Sequence, residues 1–299
     1  MTAVRWIVAL VILLTGASGG LGRLIAAGLA TRSVPFIAAT RDPSRLPDPL
    51  PGSVSQRTLD LDDPRTMAAA FDGVTTAILV SAGFAEPDTV IARHRAGLDA
   101  AARAGVRHVV YTSLSSAGDH LAYALPHRWT ERYLAAGPLS WTVLRNGLYA
   151  ELVAPDVARA AETGILAAPF GDGALAAVAR ADLADVAVQV AVDADADPRE
   201  HSGRTYELVG TRPISGGDLA AAAGPDVKYR PTTLAALRAD LTDAGLPPFA
   251  VAYVTSTYAT VAAGFLADSH RGTGGDLASL LRTPPRDPIA VIRDSMVTT

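Results

Sequence analysis

The segment TGASGGLG, residues 15–22, constrains the fold of this chain more than any other stretch. It follows an apolar run at residues 7–14 and leads into residues 20–31, where apolar side chains recur at the spacing of one buried helix face. Glycines at 16, 19 and 22 permit a tight turn, close approach of the backbone to a ligand, and close packing of helix on strand. A strand, a glycine loop and a helix in this order predict a dinucleotide site, with phosphates at the helix start.

Valine- and isoleucine-rich runs alternate with alanine- and leucine-rich segments up to residue 150, which is the pattern of βαβ units. The predicted strands are 7–14, 34–39, 54–59, 74–81, 106–112 and 141–145, and the predicted helices are 20–31, 63–72, 87–104 and 126–137. After residue 150 we predict one strand at 205–210 and a helix-rich tail over 232–282. The sequence therefore predicts an α/β fold with a Rossmann-type doubly wound parallel sheet in residues 1–150. Residues 151–299 form a smaller mixed, helix-rich, substrate-binding part, and the chain crosses between the two so that they form one compact unit.

Composition excludes several functions. The chain has no cysteine, so disulfides, thiolate nucleophiles and cysteine-based metal sites are ruled out. Its six histidines form no H-x-x-x-H or H-E-x-x-H pair, and no metal site is predicted. The net charge is −4 and the basic residues are scattered, which argues against nucleic-acid binding. The apolar run at 7–14 is too short to span a membrane, so we expect a buried strand and a cytoplasmic protein; a homodimer stays open.

The residue after the second predicted strand bears on cofactor choice. NAD enzymes often place an acid there, but this chain has Arg41, whose guanidinium can pair with the 2′-phosphate of NADP(H). We therefore predict NADP(H) in preference to NAD(H), the alternative being an ordinary exposed loop arginine. Arg45 can add to the same site, and Asp42 would weaken the preference.

The segment LDLDD, residues 59–63, ends the third predicted strand. At this edge of a nucleotide-binding sheet, Leu61 and Asp62 are predicted to border the adenine. Asp63 either belongs to the same site or caps the following helix.

Four further segments, RHRAGLDAAARAGVRHVVYTSL, TERYLAAGPLSWTVLRNGLYAE, RADLADVA and the tail from LTDAGLPP, add to TGASGGLG. With them the chain resembles the NmrA-like group of atypical short-chain dehydrogenases/reductases, and among these the bacterial NAD(P)H:quinone oxidoreductases. The resemblance covers nearly the whole chain but does not fix the substrate.

That resemblance implies a set of binding residues. Gly16, Ser18, Gly19, Leu21 and Arg41 would hold the adenosine diphosphate half, and Ala17, Gly20 and Gly22 complete the loop of the same predicted site. Ser81 and Ala82 would border the ribose, and Tyr111, Thr112 and Ser113 would run beside the nicotinamide ribose. Asn146, Gly147 and Tyr149 would line the nicotinamide and substrate pocket, with Phe170 on its apolar wall. Tyr149 packing a loop and Asn146 satisfying buried backbone are the structural alternatives.

Two isolated polar residues have structural interpretations. His94 lies mid-helix among alanines, so we expect a buried, hydrogen-bonded histidine. Asp182 is expected to cap a helix, with Arg180 beside it.

The stretch YALPHRWTERYL, residues 123–134, lacks the proton relay of many short-chain dehydrogenases. No tyrosine is followed four residues later by lysine, and Lys228 is the only lysine in the chain. Arg132 stands where the similar family commonly has lysine; it can contact ribose hydroxyls but cannot release a proton. Tyr123 is a weak candidate acid, with His127 four residues on, although Pro126 leaves their sharing a helix face open. Trp129 and Tyr133 are expected to pack rather than stack on substrate.

Quinone reduction tolerates this loss, because the hydroquinone oxygens can take protons from solvent. The sequence therefore favours an NADPH-dependent oxidoreductase that transfers hydride to a quinone or similar conjugated carbonyl. A non-catalytic NADP-binding regulatory sensor of the NmrA type is the alternative, and other redox or isomerising chemistry is a third class.

Overall fold

The computed structural model describes residues 11–46, 50–82 and 84–296, and the fold is built on a seven-stranded parallel sheet. The strands are β1 Ile12–Leu14, β2 Phe36–Thr40, β3 Ser53–Thr58, β4 Thr76–Val80, β5 His108–Leu114, β6 Ser140–Asn146, β7 Ile165–Ala168, β8 Ala174–Leu175, β9 Arg204–Leu208, β10 Ile214–Ser215 and β11 Lys228–Pro231. The helices are α1 Gly20–Thr31, α2 Pro64–Phe71, α3 Pro87–Arg103, α4 Ala124–Ala136, α5 Ala154–Thr163, α6 Arg180–Ala196, α7 Gly216–Ala223, α8 Leu234–Asp243, α9 Pro248–Ala262, α10 Leu277–Leu280 and α11 Pro288–Met296.

The main sheet has the strand order β3-β2-β1-β4-β5-β6-β9, with every neighbouring pair parallel. The chain builds outward from β1 to β3 and then returns to place β4 on the other side of β1. The crevice between the ends of β1 and β4 is therefore the topological switch point where such sheets bind ligands. The predicted Rossmann-type fold is confirmed. The part of the first predicted strand before residue 11 lies outside the described residues.

Strand residues alternate between two buried faces, as parallel strands with helices on both sides require. Ile12 and Leu14 point to the face covered by α1 and α6, and Leu13 points to the face covered by α2, α3 and α4. Apolar side chains pack on both faces of the sheet. This packing holds in place the strand ends that form the site.

A third hydrophobic cluster joins α5, α7, α9 and α11 beyond the carboxyl ends of the strands. Two small sheets, antiparallel β8–β10 and parallel β7–β11, belong to this part. Helices α8 and α9 pack side by side, and α8 has no buried residue. The strand predicted at 205–210 is β9 and joins the main sheet. The helix-rich tail continues past the predicted end at residue 282 into α11.

The prediction that Asp182 caps a helix is wrong. Helix α6 begins after Ala179, and Asp182 lies inside its first turn, 1% exposed. Its carboxylate accepts hydrogen bonds from the backbone N–H and the guanidinium of Arg286. The sequence segment alone cannot separate these roles, because acids are favoured at the cap and in the first turn alike. Within the described ranges, no helix is long and apolar enough to cross a bilayer.

Candidate active site

The glycine loop between β1 and α1 has the geometry of a phosphate cradle. Gly16 has a φ of +61°, and a Cβ on Gly22 would lie 2.1 Å from the carbonyl oxygen of Gly16. Helix α1 begins after Gly19, with no side chain capping its first turn and no acidic residue there. Its first N–H groups therefore stay available for an anion, and the helix dipole favours negative charge at this point.

The loop is fastened to the end of β2. The N–H of Ala17 donates to the carbonyl oxygen of Ala39 at 3.0 Å, and the hydroxyls of Ser18 and Thr40 lie 2.7 Å apart. Arg41 follows directly, is exposed, and makes no hydrogen bond or ion pair with any described residue. Its guanidinium is therefore free to meet a ligand that lies along the loop.

Asp42, the acid next to Arg41, is bound within its own turn. Its carboxylate accepts hydrogen bonds from the backbone N–H and the hydroxyl of Ser44, at 3.0 and 2.5 Å. The Ser44 hydroxyl holds the pKa of this carboxyl below its usual range. The acid next to Arg41 is thus engaged in a local turn.

The two aspartates that follow β3, Asp62 and Asp63, have different partners. Asp62 is exposed and forms a bidentate ion pair with Arg93, at 2.6 and 2.8 Å, and this hydrogen bonding lowers the pKa of Asp62. Leu61 is half-buried against the sheet. Asp63 caps α2 by accepting from the N–H of Arg65 at 3.0 Å, which confirms the capping alternative. Contact of Leu61 and Asp62 with adenine stays a prediction.

Arg180, the first residue of α6, is a candidate that sequence reasoning missed. Its Nη1 lies 2.8 Å from the position that a Cβ on Gly20 would occupy, so the guanidinium rests on the glycine loop. Its Cζ lies 4.9 Å from the ring centroid of Tyr149. The backbone N–H of Arg180 donates to Glu151 at 3.1 Å, while the guanidinium forms no hydrogen bond or ion pair with a described residue. The sequence signal that could have pointed to Arg180 is the extra glycine at position 20. The backbone does not require glycine there, and its missing side chain leaves the space that Arg180 occupies.

A cavity of about 850 Å³ opens beyond the carboxyl ends of β4, β5 and β6. Its wall is mostly apolar and aromatic, and helices α5, α8 and α9 form the far side. It brings together these predicted residues: Ser81, Thr112, Ser113, Asn146, Gly147, Tyr149 and Phe170, with Tyr123. Tyr111 instead lies fully buried behind the wall, and the N–H of the half-buried Ala82 donates to His94 at 2.8 Å. His94 is 0% exposed, which confirms its buried, hydrogen-bonded position.

Asn146 lines the cavity, and its side-chain oxygen lies buried behind the wall without a partner. The side chain is 4% exposed, and its Oδ1 is buried with no hydrogen bond. A buried acceptor left unsatisfied costs about 1–3 kcal/mol, and a molecule in the cavity would reach this oxygen only after the amide turns. Burial raises the pKa of the neighbouring Tyr149, and the nearby Arg180 charge opposes that shift.

An ion-pair network lies behind Ser113, which lines the cavity. Ser113 donates to Glu131 at 2.6 Å, and Glu131 also accepts from Arg128 and Arg145, both at 2.7 Å. Arg128 further donates to two backbone carbonyls at the end of β5. Arg132 is on the exposed side of α4, without a hydrogen bond or ion pair to the described part of the chain. A contact between Arg132 and the ribose therefore stays a prediction.

The remaining aromatic residues of this stretch separate into two sets. Trp129 and Tyr133 stack on each other, with ring centroids 4.8 Å apart, on the outer side of α4, consistent with packing. Tyr123 directly precedes α4 and His127 lies in its first turn, and both line the cavity, so Pro126 does not separate them. The Tyr123 hydroxyl lies 3.3 Å from that of Thr257, and burial raises the pKa of Tyr123.

One group of possible metal ligands lies near the amino ends of β6 and β9. Asp193, Glu200 and His201 place ligand atoms within 4.8 Å of one another, and Glu200 is exposed. Residues 200 and 201 reach Asp193 only through the turn after α6, which histidine spacing in the sequence cannot show. The absence of a functional metal stays a prediction.

Fold, glycine loop and cavity together define a Rossmann-type dinucleotide-binding protein. Residues 16–194 match the family described as NAD(P)H-binding, and the chain belongs to this family.

The curated relatives and solved structures extend this assignment. Quinone oxidoreductase 2 of Escherichia coli (strain K12) is 32% identical over 244 residues, covering 79% of this chain and 82% of that protein. The NAD(P)H azoreductase of Xenophilus azovorans is 28% identical, covering 86% and 89%. The Citrobacter sp. triphenylmethane reductase complexed with NADP(H) superposes with a TM-score of 0.83 at 25% identity, over 95% of this chain and 99% of that one. An NmrA-like family domain-containing oxidoreductase of Aspergillus flavus is 32% identical over 181 residues, covering 58% of this chain and 58% of that protein. The chain is therefore an NAD(P)H-dependent reductase with NmrA-like relatives.

The structure of NmrA, a negative transcriptional regulator, in complex with NADP has a TM-score of 0.70 at 17% identity. It covers 96% of this chain and 95% of its own. At this level of identity the likeness concerns the fold alone.

Proposed function

We propose that this reductase uses NADPH to transfer hydride to a quinone or a similar conjugated carbonyl held in the cavity at the ends of β4, β5 and β6. The observation that carries the proposal is the cavity itself. It is large enough for a two- or three-ring aromatic molecule, apolar over most of its wall, and placed at the carboxyl ends of β4, β5 and β6. Tyr149 on its wall contacts Arg180, which rests on the glycine loop.

Residues near the glycine loop and on the cavity wall suit the phosphates and the nicotinamide of a bound dinucleotide. The loop N–H groups and the Arg180 guanidinium are placed for a pyrophosphate, and Arg41 is placed for a 2′-phosphate. Asn146 lies on the cavity wall, and its amide would have to turn toward a nicotinamide to bind it. NADPH, when bound, supplies the hydride.

The far wall supports a flat, apolar acceptor. Phe170 and Tyr258 lie with ring centroids 5.5 Å apart, and Tyr123 and Tyr253 with centroids 5.2 Å apart. Leu237 and Leu241 of α8 also line the cavity, although no residue of that helix is buried. Substrate in the cavity would bury this apolar surface, which stabilises the complex by about 25 cal/mol per Å².

Quinone reduction does not need the tyrosine–lysine proton relay that the chain lacks. The hydroxyl of Ser113 is bound to Glu131, and α4 carries arginine where a relay would have lysine. Hydride addition to a quinone spreads charge over a conjugated system whose oxygens can be protonated by water, so positioning is the main task of the protein. The relatives named for quinone and azo reduction support an acceptor of this conjugated kind.

The direct test mixes purified protein with NADPH and a panel of benzo-, naphtho- and anthraquinones, and follows nicotinamide absorbance. We expect turnover with at least the larger quinones, and slower turnover with NADH at equal concentration. Tight NADPH binding without turnover of any quinone would refute the proposal and favour the regulatory sensor.

A further inference from the structure

A chain of four groups leads from the cavity wall to the end of β4, through the half-buried His127, the fully buried Tyr111 and His94, and the backbone of the half-buried Ala82. His127 lines the cavity, and its Nδ1 lies 3.0 Å from the hydroxyl of Tyr111. That hydroxyl lies 3.5 Å from Nδ1 of His94, whose Nε2 faces the N–H of Ala82 at 2.8 Å. The backbone N–H at the far end is a donor only, so it fixes which ring nitrogen of His94 carries the proton.

The first consequence concerns His94. Because Ala82 donates to Nε2, that nitrogen carries a lone pair. Burial lowers the pKa of His94 to about 3, so the ring is neutral and its single proton is on Nδ1. This proton goes to Thr130 Oγ1 at 2.8 Å, which in turn donates its own hydrogen to the carbonyl oxygen of Pro126 at 2.7 Å.

The second consequence concerns Tyr111. Burial raises the pKa of this fully buried phenol, so it keeps its proton. Nδ1 of His94 already carries a hydrogen and cannot accept it. The Thr130 and Ser81 hydroxyls also interact with this phenol. Nδ1 of His127, at 3.0 Å, is the acceptor that the geometry favours, and with it a neutral His127 carries its proton on Nε2.

His127 is also neutral. Burial, and secondarily the nearby Arg128, lower its pKa to about 3. The ring lines the cavity, Nδ1 is engaged, and Nε2 has no hydrogen bond to a described residue. The nitrogen left for a molecule in the cavity is thus an N–H donor of fixed orientation.

We propose that His127 is a catalytic residue that presents this Nε2–H to the carbonyl oxygen of the bound acceptor, an inference that rests on the proposed function. Hydride addition breaks a C–H bond of the dihydronicotinamide and forms a bond to that hydrogen on the acceptor. The acceptor is reduced by two electrons, NADPH is oxidised by two, and one negative charge is left on a carbonyl oxygen. The imidazole stabilises that charge by hydrogen bonding and keeps its own proton. Water then protonates the oxygen and its hydroxide is neutralised by the buffer. Tyr111 is a positioning residue, since it fixes the tautomer.

The first test is ¹⁵N NMR of the histidine rings in the cofactor-free protein at pH 7, with His127→Phe used to assign the signal. We expect His127 to be neutral with hydrogen on Nε2, and Tyr111→Phe to give a mixture of both tautomers. A wild-type ring protonated on Nδ1, or on both nitrogens, would overturn the proposal without any activity measurement.

The second test is kinetic. His127→Phe should lower kcat for a quinone on the order of tenfold to a hundredfold, with an unchanged Kd for NADPH. His127→Gln, whose amide can donate a hydrogen bond, should recover part of that loss. If both variants reduce quinones at the wild-type rate, the inference fails and the proposed function stands. If the wild type reduces no quinone, both fail.

Discussion

The guanidinium of Arg180 lies over the ring of Tyr149, with Cζ 4.9 Å from the ring centroid, while its Nη1 touches the space left by Gly20. The Arg180 side chain, from the start of α6, therefore links the glycine loop to Tyr149 on the cavity wall. Cation–π contact with Tyr149, worth about 0.5–2 kcal/mol, holds the positive charge in place without neutralising it. The charge stays available to an anion on the loop.

We predict that Arg180→Leu raises the Kd for NADPH about tenfold to a hundredfold. A charge-assisted hydrogen bond to phosphate contributes about 1.5–3 kcal/mol, and the helix N–H groups alone cannot replace it. Isothermal titration calorimetry at fixed ionic strength measures the effect. Arg103→Leu is the matched control, because Arg103 is exposed in the last turn of α3, near the amino end of β5 and away from the carboxyl ends that form the site. Equal losses in both variants would contradict a local contact.

Two glycines of the loop should respond differently to alanine. In Gly22→Ala the new Cβ would lie 2.1 Å from the backbone oxygen of Gly16, which cannot move without opening the turn. In Gly20→Ala it would meet only the mobile end of Arg180, at 2.8 Å. We expect Gly22→Ala to abolish measurable NADPH binding and lower Tm by several degrees, and Gly20→Ala to fold normally. Thermal unfolding and cofactor titration of both variants check this, and similar behaviour of the two would be inconsistent with the loop geometry.

The fold could be predicted from the sequence because hydrophobic periodicity and the glycine loop are local signals. The predicted ranges of β1 to β6 and α1 to α4 lie close to the observed ones over the described residues. The position of Arg41 beside the loop also follows from chain order alone. The role of Arg180 could not be predicted in this way, nor could the full burial of Tyr111, which was predicted to run beside the ribose. Both depend on contacts made across the sheet. The same holds for Asp182, whose partner Arg286 lies 104 residues further along the chain. Pairings over such distances follow from tertiary packing, which no local pattern contains.

His108 should make the protein sensitive to acid. It is fully buried between Ser140 and Thr142, at 2.9 and 2.8 Å, and burial lowers its pKa to about 4, with His201 as a smaller cause. The unfolded chain, with a histidine pKa of about 6.5, takes up the proton first as pH falls. The contribution of His108 is therefore complete above pH 6.5 and is lost towards pH 4, at about 1.4 kcal/mol per pH unit.

The variant His108→Asn, which keeps hydrogen bonding but does not titrate here, tests that dependence. Its free energy of unfolding in urea should fall less steeply than that of the wild type between pH 6.5 and 4.5. The difference in slope should be about 1.4 kcal/mol per pH unit, and the two slopes should agree at pH 7.5–8.5. Parallel curves over the whole range would show that His108 is not buried neutral.

Arg41 should decide between the two nicotinamide cofactors. Its guanidinium is exposed beside a loop fixed by the Ser18–Thr40 contact, and the adjacent Asp42 is occupied by Ser44. We predict that Arg41→Ser raises the Kd for NADPH about tenfold to a hundredfold, because one charge-assisted contact to the 2′-phosphate is lost. The Kd for NADH should change by less than about twofold, since a 2′-hydroxyl gains little from the guanidinium. Arg41→Asp should go further and reverse the preference, because its carboxylate repels the phosphate and can accept from the hydroxyl. Fluorescence titration of both cofactors against each variant measures this, and equal losses for NADPH and NADH would exclude a phosphate contact at Arg41.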